Sequence, residues 1–183
     1  MKQCEMRRVM IIGQPGAGKS TLARNLGAIT GLPVFHIDTI HWMPGWIERD
    51  GPAKDLLVAD VHARERWIFE GGRSSTWRDR AARADTLIWL DFPLWLRAWR
   101  VLRRRIEYRG GRTRPDLPEN CPERLNWEFT HWIWTTRKTG RARMRAHFEE
   151  TKGQLQRHRL SNPQEVKAYL VDVAQKYGRA AAN

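Results

Sequence analysis

Residues 13–20 read Gly-Gln-Pro-Gly-Ala-Gly-Lys-Ser, with Thr21 directly behind, and fit the pattern G-x-x-x-x-G-K-[ST]. Each residue type has a chemical reason to be there. Gly13, Gly16 and Gly18 let successive backbone N–H groups curl around phosphate oxygens where a Cβ would obstruct them. A helix beginning near Lys19 directs its positive end at the same oxygens. Lys19 reaches the β- and γ-phosphates, and the Ser20 hydroxyl is a ligand for Mg²⁺. The expected nucleotide-binding set is therefore Gly13, Pro15, Gly16, Ala17, Gly18, Lys19, Ser20 and Thr21, with ATP and Mg²⁺ as the implied cofactors. A chance glycine-rich turn is the competing explanation. The context argues against it, because the motif follows an apolar run at Arg8–Gly13 and precedes a helical repeat of Leu22, Leu26 and Ile29.

Further side chains could do chemistry with a bound triphosphate. Asp38 follows a second apolar run, and a carboxylate near the γ-phosphate can orient or deprotonate a hydroxyl acceptor; its alternative role is to cap a turn. Glu70 closes a third run and reads either as part of a metal shell or as a strand-end acid bonded to backbone. Asp91 reads as structural, and His36 and His41 as satisfied polar residues. Trp42 and Trp46 sit in a Gly/Pro loop, where they either stack on a ring of the acceptor or close a hydrophobic corner.

The formal charge is +13, from 33 Lys and Arg against 20 Asp and Glu. Between Arg97 and Arg114 stand eight arginines and a single acid, Glu107, and Arg137, Lys138, Arg141, Arg143 and Arg145 follow. Guanidinium forks match phosphate oxygens two at a time, and the same excess attracts nucleic acid nonspecifically. Charge alone leaves both open. The Arg-rich helix and the Gly/Pro-rich polar loop after it suggest a lid that delivers positive charge to the transferred phosphate and excludes water.

The elements that must position these groups follow from periodicity. Strands are predicted at 8–13, 33–38, 67–70, 86–91 and 155–160, and a loop at 39–51. Helices are predicted from Lys19 to Gly31, from Pro52 to Glu65 with Ala53, Leu56, Leu57 and Val61 inward, and from Ser75 to Arg83. Leu94–Tyr108 reads as a helix with Trp95, Ala98, Trp99, Leu102 and Ile106 as its core-facing stripe. A helical stripe at Leu125, Phe129, Trp132, Ile133 and Thr136, a helix at 142–150, and one starting at Pro163 behind an Asn162 cap complete the series. Strands alternating with helices imply a parallel sheet covered on both faces. No run approaches the roughly 18–20 uncharged apolar residues a membrane span needs, and the N-terminal residues do not read as a signal peptide. Cys4 and Cys121 are too few and too isolated for a disulfide framework or a zinc site. A reducing cytoplasm is the expected location.

The sequence resembles the adenylate-kinase-like P-loop kinases, and among them most of all the DNA topology modulation (FlaR-like) group. The resemblance rests on G-Q-P-G-A-G-K-S-T, on H-I-D at 36–38, W-I-F-E-G-G at 67–72 and D-T-L-I-W-L-D-F-P at 85–93, and on the arginine helix that follows. It implies a three-layer α/β fold with a five-stranded parallel sheet in the order 2-3-1-4-5, as one domain over 1–183 with an Arg-rich helical lid at about 109–145. It implies that Asp38 serves the acceptor, that Glu70 stands behind Ser20 at the metal, and that Arg73 meets an anionic group of the acceptor. Arg100 would lie against adenine, Arg104 and Arg105 would approach the phosphates, and Arg141 and Arg145 would return from the lid. His41-Trp-Met-Pro-Gly-Trp46 is unlike an AMP-binding segment, so the acceptor stays open, with Trp42 a candidate contact. The expected activity is ATP- and Mg²⁺-dependent phosphoryl transfer to a small molecule, by a monomer or homodimer. The alternatives are a nucleotide-dependent nucleic-acid-binding regulator and an ATPase without an acceptor.

Overall fold

The computed structural model describes residues 6–108, 114, 116–122, 131 and 134–181. Strands β1 (Arg8–Gly13), β2 (Val34–His36), β5 (Trp67–Glu70), β6 (Thr86–Leu90) and β7 (Gln156–Leu160) form one parallel sheet in the order β2-β5-β1-β6-β7. A short antiparallel hairpin, β3 (Trp42–Met43) and β4 (Ile47–Glu48), stands apart from it. With the hairpin set aside, this is the predicted order 2-3-1-4-5. The register Ile11↔Glu70 and Gly13↔Leu90 puts the phosphate loop and the strand-end acid on the same rim of the sheet.

Successive side chains of β1 part to opposite faces, as strand geometry requires. Val9 and Ile11 join Leu22, Leu26, Ile68, Ile88 and Val173 in one core, while Met10 and Ile12 join Val58, Val61, Trp67, Phe69, Trp89 and Phe148 in the other. Helices α1 (Lys19–Thr30) and α7 (Pro163–Ala181) cover the first face; α3 (Gly51–Ala63), α4 (Trp77–Arg83) and α6 (Arg137–Glu150) cover the second. The cap of α7 is as predicted: Asn162 Oδ1 accepts from the N–H of Glu165 at 2.9 Å. Among the described residues no helix is long and apolar enough to cross a membrane.

Several sequence expectations are corrected. The stretch read as a loop at 39–51 contains the end of a short helix, α2 (Ile37–His41), and the hairpin, whose turn is made by Gly45 and Trp46 at positive φ. Helix α3 turns Lys54, Val58, Val61 and His62 inward and leaves Leu56 and Leu57 exposed, and the Lys54 ammonium reaches the Glu48 carboxylate at 2.5 Å. Helix α6 begins at Arg137 rather than 142. The stripe expected from Leu125 to Thr136 and much of the lid fall outside the described residues.

The largest reversal concerns α5 (Leu94–Glu107). Its predicted core stripe faces outward, with Trp95 71%, Trp99 58%, Leu102 46% and Ile106 61% exposed, whereas Arg97 is 3% exposed. The buried side of this helix lies against the phosphate loop. Arg97 donates to the Pro15 carbonyl at 3.3 Å and the Phe92 carbonyl at 3.2 Å, and Arg100 donates to the Ala17 carbonyl at 3.0 Å. A Cβ on Gly16, whose φ is +78°, would sit 2.4 Å from the Arg97 carbonyl oxygen, so only glycine allows the helix this close.

Asp91, just past β6, is buried and ties three elements together. It accepts from Arg141 of α6 at 2.7 and 2.9 Å and from Arg159 of β7 at 3.1 and 2.6 Å. Burial raises its pKa, but the two guanidinium groups outweigh burial and hold the carboxyl below its ordinary value. Its stabilising contribution is therefore complete above the unfolded-state pKa and is lost as pH falls toward the folded one. Asp91→Asn should lower unfolding stability by about 2 kcal/mol at pH 7, and by less at pH 3.5, in urea titrations at the two pH values.

Candidate active site

The carboxyl ends of β1, β2 and β5 open into a cavity of about 1100 Å³. The phosphate loop forms its floor. Gly16 and Gly18 take φ of +78° and +90°, and Gly18 precedes α1 without any side-chain cap and without an acid in the first helical turn. The leading N–H groups of α1 are thus left for a ligand, and the helix end favours an anion. Lys19 folds back along the loop, its Nζ 3.5 Å from the Gln14 carbonyl. All eight residues of the expected nucleotide set line the cavity.

Acids gather on the opposite wall. Glu70 is 2% exposed; its Oε1 accepts from the Ser20 hydroxyl at 3.0 Å and lies 2.7 Å from His36 Nδ1. Gly71 turns the chain immediately after it at φ +125°, where a Cβ would collide with the Ile37 side chain. Asp38 stands in the first turn of α2 and lines the same cavity. Burial pushes its pKa up and the Glu70 charge adds to this, with Lys19 and Arg114 pulling the other way. No group of three or more His, Cys, Asp or Glu among the described residues could cage a metal. The donor set fits Mg²⁺ all the same, since that ion keeps waters and takes ligands from phosphates and one or two protein oxygens. Ser20 would hold it, with Glu70 behind.

Asp116 is a site residue that the sequence reading missed. It lies in the stretch read as an unpaired polar loop, yet it is buried, with Arg114 Nη1 at 3.3 Å and Arg24 Nη1 at 3.9 Å. Burial raises its pKa, and Arg114, the Ser20 hydroxyl and His36 together bring it below the ordinary value. Arg24, one turn beyond Ser20 on α1, also lines the cavity; its i, i+4 spacing from Ser20 was the available signal.

The arginines divide by position. Arg73, at φ +49°, lines the cavity and bonds Asp55 at 2.5 Å. Arg104 lines it with Arg103, so the pair on the cavity wall is 103 and 104 rather than the expected 104 and 105. Arg100 lines it as well, but its guanidinium bonds the Ala17 carbonyl and sits 4.7 Å from the Phe92 ring centre, bracing the loop. Arg141 is placed elsewhere. It is engaged by Asp91 outside the cavity, and Arg143 is the arginine of α6 on the wall. Trp42 and Trp46 both reach the cavity, edge to face at 5.3 Å. The Trp46 indole N–H is taken by the Pro122 carbonyl at 3.0 Å.

No family model matches the chain, and no curated protein does. Solved structures do. Shikimate kinase from Acinetobacter baumannii, in complex with shikimate, superposes with a TM-score of 0.53 at 14% identity, covering 93% of this chain and 92% of that one. Shikimate kinase from Bacteroides thetaiotaomicron gives 0.51 at 15% identity, covering 93% and 97%. The enzyme from Aquifex aeolicus gives 0.50 at 16%, covering 96% and 99%. At these identities the likeness is one of architecture: the chain has the α/β fold of the P-loop kinases.

Proposed function

We propose that this protein is a phosphotransferase that moves the γ-phosphoryl group of ATP to a hydroxyl of a small molecule. The observation that carries the reading is a single cavity in which an uncapped, glycine-turned helix N-terminus with Lys19 shares the lining with a half-buried carboxylate, Asp38. A plain ATPase needs the first half of that arrangement but not the second. The kinase architecture of the solved relatives supports the reading, and the H-I-D and W-I-F-E-G-G segments support the finer resemblance to FlaR-like proteins.

The loop amides and Lys19 hold the phosphates. Mg²⁺, when bound at Ser20, neutralises charge on the β- and γ-oxygens. Glu70 keeps the Ser20 hydroxyl oriented through their 3.0 Å hydrogen bond, and His36 fixes Glu70 from the other side. Asp38 orients the acceptor hydroxyl and takes its proton as the new oxygen–phosphorus bond forms and the bond from the γ-phosphorus to the β,γ-bridging oxygen breaks, with ADP as the leaving group. Arg104 and Arg143 offset the charge that spreads over the transferred group. Trp42 and Arg73 border the space left for the acceptor.

Lys19→Ala should keep the circular dichroism spectrum while ATP turnover falls at least about a hundredfold. Turnover that survives in this variant overturns the assignment of the loop. Phosphate transfer from ATP to nucleosides, nucleotides, sugars and small hydroxy acids tests the other half, with one acceptor class expected to stimulate ATP consumption. A rate identical with and without every acceptor would leave only the ATPase.

Asp38→Asn should lower acceptor phosphorylation by about 10²–10⁴-fold and leave calorimetric ATP affinity within a few-fold of wild type. Because the carboxylate is the active form and its pKa is raised, kcat/KM for the acceptor should climb with pH through a value above the ordinary carboxylate range. The Asn variant should lose that limb of the profile.

A further inference from the structure

The outward stripe of α5 is an apolar feature, among the described residues, that the proposed chemistry leaves unused. Trp95, Trp99, Leu102 and Ile106 stand at spacings of 4, 3 and 4 on one side of the helix, all exposed and none lining the cavity. On a soluble protein, an apolar patch of this size marks an interaction surface.

The spacing is the same read in either direction. When two copies of the helix lie antiparallel about a twofold axis, Trp95 meets Ile106 and Trp99 meets Leu102 of the second copy. Each large ring is matched with an aliphatic side chain, which is the self-complementarity a twofold interface requires. The area suffices too. Aromatic side chains alone carry about 150–250 Å² each, so pairing removes on the order of 900 Å² over the two stripes and reaches the ~1,000 Å² of a specific interface once the flanks are counted.

We infer that the outer face of α5 is a homodimer interface in which the Trp95–Trp99–Leu102–Ile106 stripes of two copies pack antiparallel. The stripe is flanked by Arg103 on one side and Arg105 on the other, so the flanks of the paired faces carry positive charge on both copies. The flanking charges repel, so added salt strengthens the association. An interface with nucleic acid, anionic lipid or an acidic protein behaves in the opposite way. The inner face of the same helix holds the phosphate loop through Arg97 and Arg100, so dimerisation would stiffen the support of that loop.

Sedimentation equilibrium of the full chain at 1–100 μM in 0.1 and 0.5 M NaCl tests the inference. Wild type should dimerise, more tightly at the higher salt. Leu102→Lys should raise the dissociation constant by at least about a hundredfold, because each dimer loses the contact twice. Trp99→Ser should act in the same direction, and both variants should keep the wild-type circular dichroism spectrum. A monomer at every concentration and salt overturns the proposal, as does a dimer that both substitutions leave intact. Self-association that salt weakens would also overturn it, since apolar stripes flanked by like charges associate more tightly as salt rises.

Discussion

A phosphate nest turns its N–H groups inward, and the peptide planes that do so turn their carbonyls outward. Here those carbonyls belong to Pro15 and Ala17, and they need donors that leave the phosphate side clear. Arg97 and Arg100 supply them from α5. Much of the surrounding architecture follows from this requirement. It explains a buried arginine on a helix whose tryptophans are exposed, and a glycine at position 16 where the loop and helix backbones nearly touch. From the far side of the loop, Gln14 donates its amide to the Arg137 carbonyl at 2.9 Å and so joins α6 to the same support. The loop is braced by two helices that lie far from it in sequence.

The site's electrostatics balance in a particular order. Glu70, Asp38 and Asp116 crowd one wall, and each acts on the protonation of a neighbour: Glu70 and Asp116 both raise Asp38. Lys19, Arg24 and Arg114 offset part of that crowding. Acids and cations thus meet on this wall beside the loop, and the bond from Ser20 to Glu70 fixes the direction of the hydroxyl. Asp38 is left as the carboxylate whose proton affinity is raised most clearly, the property wanted in an acceptor base.

What the sequence made legible was whatever local pattern decides. The loop at 13–20, the strand end carrying Glu70, and the capped start of α7 depend on neighbours within a few residues. Alternation of strands and helices gave the parallel sheet, and the resemblance to P-loop kinases gave its order, whereas Asp38, read as the end of a strand, falls in the first turn of α2. What it hid depended on distant partners. The apolar periodicity of α5 is real, but periodicity gives a face without saying which way the face points; the loop carbonyls decided that. Asp116 could not be singled out, since Arg24 and Ser20 meet it from α1, far off in the sequence, and Arg114 two residues away is one of many arginines in that stretch. Arg141 and Arg143 differ by two positions on one helix, and only the pull of Asp91 shows which of them reaches the cavity.

The same placement changes what a charge of +13 means. As a bare count it suggests a surface for polyanions. In the structure many of the arginines are already committed: Arg97 and Arg100 to loop carbonyls, Arg141 and Arg159 to Asp91, Arg157 to the Phe148 carbonyl and ring. Arg80 is the extreme case. It is fully buried, with its guanidinium 3.9 Å from the Phe69 ring centre and bonds to Thr76 and the Gly71 carbonyl, and burial pushes its pKa down to about 9. Guanidinium suits such tasks because one planar group can serve several acceptors at once and stack on a ring. These arginines hold strand ends and the loop at 13–20 in place, while Arg24, Arg73, Arg103, Arg104, Arg114 and Arg143 line the cavity. A count of +13 therefore does not by itself mark a surface for polyanions.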